Sequence, residues 1–373
     1  TVKYAGATGL PQWEARYNGL ANNSDLAFAL ALDSAGDVLV TGRSVSSGSN
    51  FDYLTVKYAG ATGLQIWQSV EPVQTGLPAS LACGETIFGK GALVLDAAGN
   101  SYVTGCATNG STQDYLTVKH GPDGTVLWSA RYNGAANSND EAHAVALDSA
   151  GNVLVTGRSV SSGSGEDYLT VKYAGATGVQ LWEARSSGPG NSNDVAYAVA
   201  LDSAGNVLVT GRSIGSGSGA DYLTVKYAGA TGVQLWSARY NGAANSTDVA
   251  YALALDSAGD VLVTGLSGGL GNSDDYLTVK YAGATGVQLW EARSNGAANS
   301  TDRAYALALD SAGNVLVTGF SFGSGSSGAD YLTVKYAGAT GVPLWSARYN
   351  GAANSNDLAY AVALDSAGDV LVT

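Results

Sequence analysis

The chain has 373 residues, 18 of them Lys or Arg and 31 Asp or Glu, so it carries a formal net charge of −13 with only 13% charged residues. An acidic, sparsely charged surface releases no counterions from a polyphosphate, which excludes sequence-independent nucleic-acid binding, and no apolar run approaches the roughly 18 residues of a membrane helix. Gly is 51 of the residues while hydrophobic side chains still make up 45%, the composition of many turns around a real core rather than of disorder.

In chain order, the first expected elements are a strand over Thr1 to Tyr4 and a second around Trp13. With Thr at position 1 and no Met, any leader or initiator is expected to have been removed or to lie outside this segment. The pattern then repeats. Trp13, Trp67, Trp128, Trp182, Trp236, Trp290 and Trp345 are spaced by 54, 61, 54, 54, 54 and 55 residues, and a TVK triplet precedes each by about ten. Asp followed by SAG or AAG recurs at Asp33, Asp96, Asp148, Asp202, Asp256, Asp310 and Asp365. Three markers give one count, seven.

The unit from residue 194 to 239 reads as four short strands. Strand A is VAYAVALD, the turn SAGN leads to strand B, VLVTGR, a Gly/Ser loop leads to strand C, YLTVKY, and AGATG turns into strand D, QLWSAR. Gly in the A–B and C–D turns supplies the positive φ of tight hairpins. Seven such units predict an all-β fold, a seven-bladed β-propeller with four antiparallel strands per blade. Along strand A, Val195, Tyr197, Val199 and Leu201 are expected on one face and Ala196, Ala198 and Ala200 on the other.

The second unit departs from the rest. Trp67 to Asp96 spans 29 residues where Trp13 to Asp33 spans 20, an insertion at about residues 70–88. It holds Cys83, and Cys106 replaces the Arg of neighbouring units; a Cys83–Cys106 disulfide is expected, stabilising by roughly 3 kcal/mol and implying an oxidising compartment. The chain ends inside strand B at Thr373. Residues 358–373 are therefore expected to supply strands A and B of a shared blade whose C and D strands are residues 1–17, making 1–373 one closed domain that continues in the natural chain.

The phrase NSNDVAYAVALDSAGNVLVTGRS followed by DYLTVKYAGATGVQLW resembles the bacterial SBBP β-propeller repeat and, more distantly, NHL-type repeats. That resemblance implies a propeller fold and an extracellular, cell-surface or periplasmic bacterial setting, and implies no catalytic residues.

Function is sought where units differ. The turns at one rim are nearly invariant, whereas the D–A and B–C loops of the other rim vary. At the Tyr197 position the series is Phe28, Gly91, His143, Tyr197, Tyr251, Tyr305 and Tyr360, read either as core wedges bonded to neighbouring backbone or as a ring for sugars or a cation. Two residues earlier stand Glu141 and Arg303, so Glu141, His143 and Arg303 form the candidate polar site. Val160, Ile214, Leu270 and Phe322 are apolar rim residues. The Asp series of the NSND loops, including Asp248, reads as Asx turns, with Ca²⁺ the only cofactor considered. Lys172, Glu183 and Arg185 read as a solvated ladder. No HExxH, GxSxG or P-loop motif occurs, so no cofactor is expected. The leading expectation is a non-catalytic interaction or structural module that binds a protein or joins a larger surface assembly. A multivalent glycan binder is the alternative, and a lyase or cyclase around Glu141 and His143 is the third.

Overall fold

The computed structural model describes residues 1–373 apart from 6–7, 9, 20–21, 46–50, 72–92, 110–111, 162–164, 191, 218, 270–272, 297–299, 324–327 and 353–354. It is all-β, with 28 strands and no helix among the described residues. The chain forms two compact units, 1–164 with 168–183 and 165–167 with 184–373.

The first unit begins with a hairpin of β1 (Val2–Tyr4) and β2 (Pro11–Glu14). Two four-stranded antiparallel sheets follow, β3 (Asp25–Leu32) to β6 (Gln65–Glu71), through β4 (Val38–Val45) and β5 (Phe51–Tyr58), then β7 (Leu93–Leu95), β8 (Ser101–Asn109), β9 (Thr112–His120) and β10 (Val126–Tyr132). A third sheet, β11 (Asp140–Leu147), β12 (Val153–Val160), β13 (Glu166–Tyr173) and β14 (Gln180–Ser186), is divided between the units. The second unit continues with β15 (Val195–Leu201), β16 (Val207–Ile214), β17 (Ala220–Tyr227) and β18 (Gln234–Tyr240). Next come β19 (Asp248–Leu255), β20 (Val261–Gly268), β21 (Asp274–Tyr281) and β22 (Gln288–Ser294). The last complete sheet is β23 (Asp302–Leu309), β24 (Val315–Phe322), β25 (Ala329–Tyr336) and β26 (Pro343–Tyr349), before the hairpin β27 (Val362–Leu364) and β28 (Val370–Val372).

The chain ends are two hairpins, β1–β2 and β27–β28. Each forms a two-stranded antiparallel sheet. Their backbone groups turn inward on their own partners: Thr373 N donates to Ala361 O at 3.1 Å, and the Thr1 ammonium donates to Ala15 O at 3.0 Å.

The repeated turns follow from their sequence. In the β19–β20 turn, Asp256 Oδ1 accepts from the backbone N of Ala258 and of Asp260, both at 2.9 Å, while Gly259 takes φ +82°. The other oxygen, Oδ2, meets Lys280 Nζ of β21 at 2.7 Å. One aspartate thus shapes the turn and neutralises a lysine. The same pair recurs as Lys172–Asp148, Lys226–Asp202 and Lys335–Asp310, so Lys172 belongs to a buried ion pair and not to a solvated ladder. Arg185 faces Asp167 at 3.9 Å. A lysine can be buried here because its ammonium finds an anion and a carbonyl.

Sheets stack through apolar side chains and a few directed bonds. In the second unit Leu208, Tyr222, Trp236, Ala250, Val263, Leu277 and Val279 form one cluster between adjacent sheets. Trp236 Nε1 donates to Gly283 O at 3.1 Å, Lys226 Nζ to the same oxygen at 2.7 Å, and Tyr222 Oη to Leu277 O at 3.1 Å. The joint repeats as Trp290 to Gly338 O and Tyr276 to Leu332 O, and in the first unit as Trp128 to Gly175 O and Tyr115 to Leu169 O. Tyr115, Tyr222 and Tyr276, which bond the neighbouring backbone, lie on the third strand of their sheets.

The first strand of five sheets breaks the predicted alternation. Its register shifts between Ala27 and Ala29, Ala142 and Ala144, Ala196 and Ala198, Ala250 and Ala252, and Ala304 and Ala306. The skipped residue is Phe28, His143, Tyr197, Tyr251 or Tyr305, the extra residue of a β-bulge that re-aims its side chain.

Candidate functional site

The varying loops connect the last strand of one sheet to the first of the next and the second strand to the third. Asp140, Asp194, Asp248 and Asp302 of the NSND series are buried at or just before the start of a first strand. Asp248 Oδ2 accepts from Gly242 N at 2.7 Å, and Asp194 accepts from Gly188 N at 2.5 Å and from Ile214 N at 2.8 Å. These are staples across the rim loops, drawn through six to twenty residues of chain, rather than local Asx turns. Beside them stands an arginine. Arg293 Nη1 donates to Asp275 Oδ2 at 2.9 Å and to Ser267 O at 3.0 Å, and Nη2 donates to Ser267 Oγ at 2.5 Å. Arg239 holds Asp221 and Ser213 the same way, and Arg348 holds Asp330 and Ser321.

Electrostatics differ between the two rims. Burial raises the pKa of Asp194, Asp248 and Asp302 against the bonds they accept. At the turn rim burial also works upward, but the lysine and backbone bonds outweigh it, lowering Asp202 and Asp256 and taking Asp310 to about 2. A raised carboxyl contributes stability that is complete below its unfolded pKa and lost as pH climbs through its folded pKa. A lowered one contributes stability present above its unfolded value and lost as pH falls through its folded value. Thermal midpoints are therefore expected to peak on the acid side of neutrality and fall on both flanks. Asp248→Asn should flatten only the fall toward neutral pH; an unchanged flank would show that the rim carboxyls do not govern it.

Every predicted polar residue has its own partner. Glu141 pairs with Arg158, and Arg303 Nη2 with Asp274 Oδ2 at 3.0 Å. His143 is half-buried, and desolvation of its ring, with the Arg158 charge adding to it, pushes its pKa down to about 3, so the ring is neutral at physiological pH. Glu141 and His143 lie in one unit and Arg303 in the other. In the second unit Tyr197, Tyr251, Tyr305 and Tyr360 form a ladder with ring centroids 5.8, 5.6 and 5.2 Å apart. Tyr251 and Tyr305 are buried within it, whereas Tyr360 is exposed on one side.

Val160, Ile214 and Phe322 are half-buried rather than exposed, and Phe322 meets Phe320 edge-on at 6.0 Å. Leu270, Cys83, Gly91 and most of the 70–88 insertion lie outside the described residues. Cys106 is fully buried, and no free cysteine occurs among the described residues. Sequence reasoning missed the apolar pairs exposed on the last strands and the turns before them: Leu64 and Ile66, Val179 and Leu181, Val233 and Leu235, Val287 and Leu289, and Val342 and Leu344. The repeated VQL triplet was the available signal. No group of three or more His, Cys, Asp or Glu suited to a metal ion occurs among the described residues, and no helix long and apolar enough to cross a membrane occurs among them.

Sheets, turns and joints of this kind define a β-propeller repeat protein. Residues 128–162 match the SBBP beta-propeller repeat. Among solved structures, Sqt1 from Chaetomium thermophilum is 11% identical, over 91% of this chain and 75% of that one, with a TM-score of 0.53. Quinohemoprotein alcohol dehydrogenase ADHIIG from Pseudomonas putida HK5 is 13% identical, over 86% and 60%, at 0.47. BamB from Moraxella catarrhalis is 13% identical, over 83% and 85%, at 0.42. At such identities the likeness concerns the fold alone. No curated protein matches the sequence.

Proposed function

We propose that this chain is a non-catalytic, secreted or cell-surface bacterial propeller that serves as a rigid protein-interaction module through its variable rim. The observation that carries the reading is the contrast between the rims. One is built of near-identical Asp–Lys turns, while the other sets different side chains on a common framework of buried Asp, Ser and Arg. A stiff scaffold presenting variable loops is the arrangement of a binding surface. We read the two terminal hairpins as complementary halves of a seventh blade, and Cys83 as the partner of Cys106; the denatured, unreduced chain should then show no titratable thiol.

The rim is tested with Ile214→Ser and Phe322→Ser together. A protein retained from the source envelope on the immobilised chain should be held at least tenfold more weakly by this variant. The Phe322 ring contact is worth about 1 kcal/mol, so folding should survive. Undiminished retention removes this rim from consideration. A second reading, glycan binding, is favoured by the tyrosine ladder with its exposed end at Tyr360; a sugar that quenches Tyr or Trp fluorescence and is competed by free sugar would support it.

A further inference from the structure

Five of the loops that lead into a first strand carry an Asn-Gly peptide, beginning at Asn18, Asn133, Asn241, Asn295 and Asn350. Such a peptide converts spontaneously, because glycine has no side chain to hinder attack by its own nitrogen. The Gly nitrogen, on losing its proton, attacks Cγ of the preceding asparagine. A C–N bond forms, the side-chain nitrogen leaves as ammonia, and water then opens the succinimide ring to aspartate or isoaspartate. An amide becomes a carboxylate, and in isoaspartate the main chain is longer by a methylene.

Two of these loops are described throughout, 133–140 in the first unit and 241–248 in the second. In both, the asparagine is exposed while the glycine and the closing aspartate are buried. The nucleophilic nitrogen is already committed: Gly134 N donates to Asp140 Oδ2 at 2.6 Å and Gly242 N to Asp248 Oδ2 at 2.7 Å. The asparagine amide is tied as well, Asn133 Nδ2 donating to Asn137 Oδ1 at 2.6 Å and Asn241 Nδ2 to Asn245 Oδ1 at 2.7 Å. A turn closes each loop, with Asn137 N on Gly134 O at 2.8 Å and Asn245 N on Gly242 O at 2.9 Å. Gly19, Gly296 and Gly351 donate to their own loop aspartates at 3.0, 2.5 and 2.6 Å.

We propose that the buried aspartates are clamps that hold these Asn-Gly peptides against conversion to aspartate and isoaspartate, so that the rim keeps its covalent shape. Burial keeps hydroxide from the Gly N–H. A nitrogen whose proton lies against a carboxylate anion would, on losing it, set two negative charges side by side, which makes it a weaker acid. The tied amide and the closed turn stop the asparagine from swinging Cγ over the nitrogen. Asp140 and Asp248 are thus positioning residues that act through the glycine. The bond from Gly188 to Asp194 serves the loop alone, because Ser187 stands where the other loops have asparagine.

The test is a peptide map of the 373-residue chain held at mildly alkaline pH, with conversion at each asparagine followed by mass and by enzymatic methylation of isoaspartate. Conversion at Asn133 and Asn241 is expected to be far slower in the folded chain than in urea. Asp248→Asn keeps an acceptor oxygen but removes its charge. It should speed conversion at Asn241 about tenfold, the worth of a hydrogen bond to a charged group, and leave Asn133 unchanged. Asp140→Asn should do the reverse. Equal rates in the folded chain and in urea overturn the proposal, as does a variant that leaves its own site unchanged. A variant that slows its own site overturns it too, because the aspartate would then be the base that takes the proton. Acceleration of both sites in both variants also overturns it, since loss of fold and not loss of a clamp would be the cause.

Discussion

Gly265→Ala is expected to cost about 3 kcal/mol or more of stability, enough to shift a denaturant midpoint well outside error. A Cβ at this position would lie 1.9 Å from Val249 O and 2.9 Å from Tyr222 Oη. Neither neighbour can yield. The carbonyl belongs to β19 beside the bulge at Tyr251, and Tyr222 is buried with its hydroxyl bonded to Leu277 O. The bulge presses the first strand onto the second, and only a residue without a side chain fits opposite. Gly42, Gly157 and Gly319 make the same 1.9 Å approach to Leu26 O, Glu141 O and Arg303 O. Gly259→Ala is the control, because its site has φ +82° but open space around it. Its cost should be about 1 kcal/mol, from backbone conformation alone. Equal losses at the two glycines would show that crowding opposite the bulge is not the governing term.

Arg293→Ala should cost about 1–3 kcal/mol, the range for leaving a buried polar group without its bond, because Asp275 is buried although Arg293 itself is exposed. Asp275 is buried, and Arg293 supplies its bond while also capping Ser267 O and Ser267 Oγ. Removing the guanidinium strands the carboxylate and an unsatisfied carbonyl together. Adding Asp275→Asn to Arg293→Ala should recover part of the loss, since the stranded charge is then gone. Urea unfolding of the single and double variants measures both effects. A double variant no more stable than Arg293→Ala would place the cost in lost packing of the arginine stem instead.

Much of this architecture could be read from the chain because the determinants are local. Asp-Ser-Ala-Gly fixes a turn within five residues, and the Trp spacing fixes the length of the unit. The determinants that escaped are those made between strands. The bulge at Tyr197 leaves no mark in VAYAVALD, although the Gly of VLVTG, which must face it, was in view. Lys172 looked solvated because its partner, Asp148, sits in a turn 24 residues earlier. Glu141 and Arg303 looked like one polar site because both stand at the same place in their units, yet each is neutralised by Arg158 or Asp274. Variation at a position shows where side chains differ, whereas their partners stand on other strands: Arg158 across the β11–β12 pair and Asp274 at the start of β21 in the preceding sheet.

The near-identity of the joints between sheets has a consequence for how such a chain reaches its final arrangement. Because Trp236 and Trp290 find the same turn sequence and the same carbonyl in the next sheet, a sheet leaving the ribosome meets near-equivalent docking partners, and slow correction phases are expected in refolding. The sheet β7–β10 breaks that degeneracy. Trp67 donates to Pro122 O instead of a glycine, His120 stands where others have tyrosine, and Tyr102 reaches Asp96 in place of lysine. The joint by which it receives the sheet before it is therefore distinct, although its own Trp128 and Tyr115 donate to Gly175 O and Leu169 O like the others, and that one junction marks a fixed point in an otherwise repeating series.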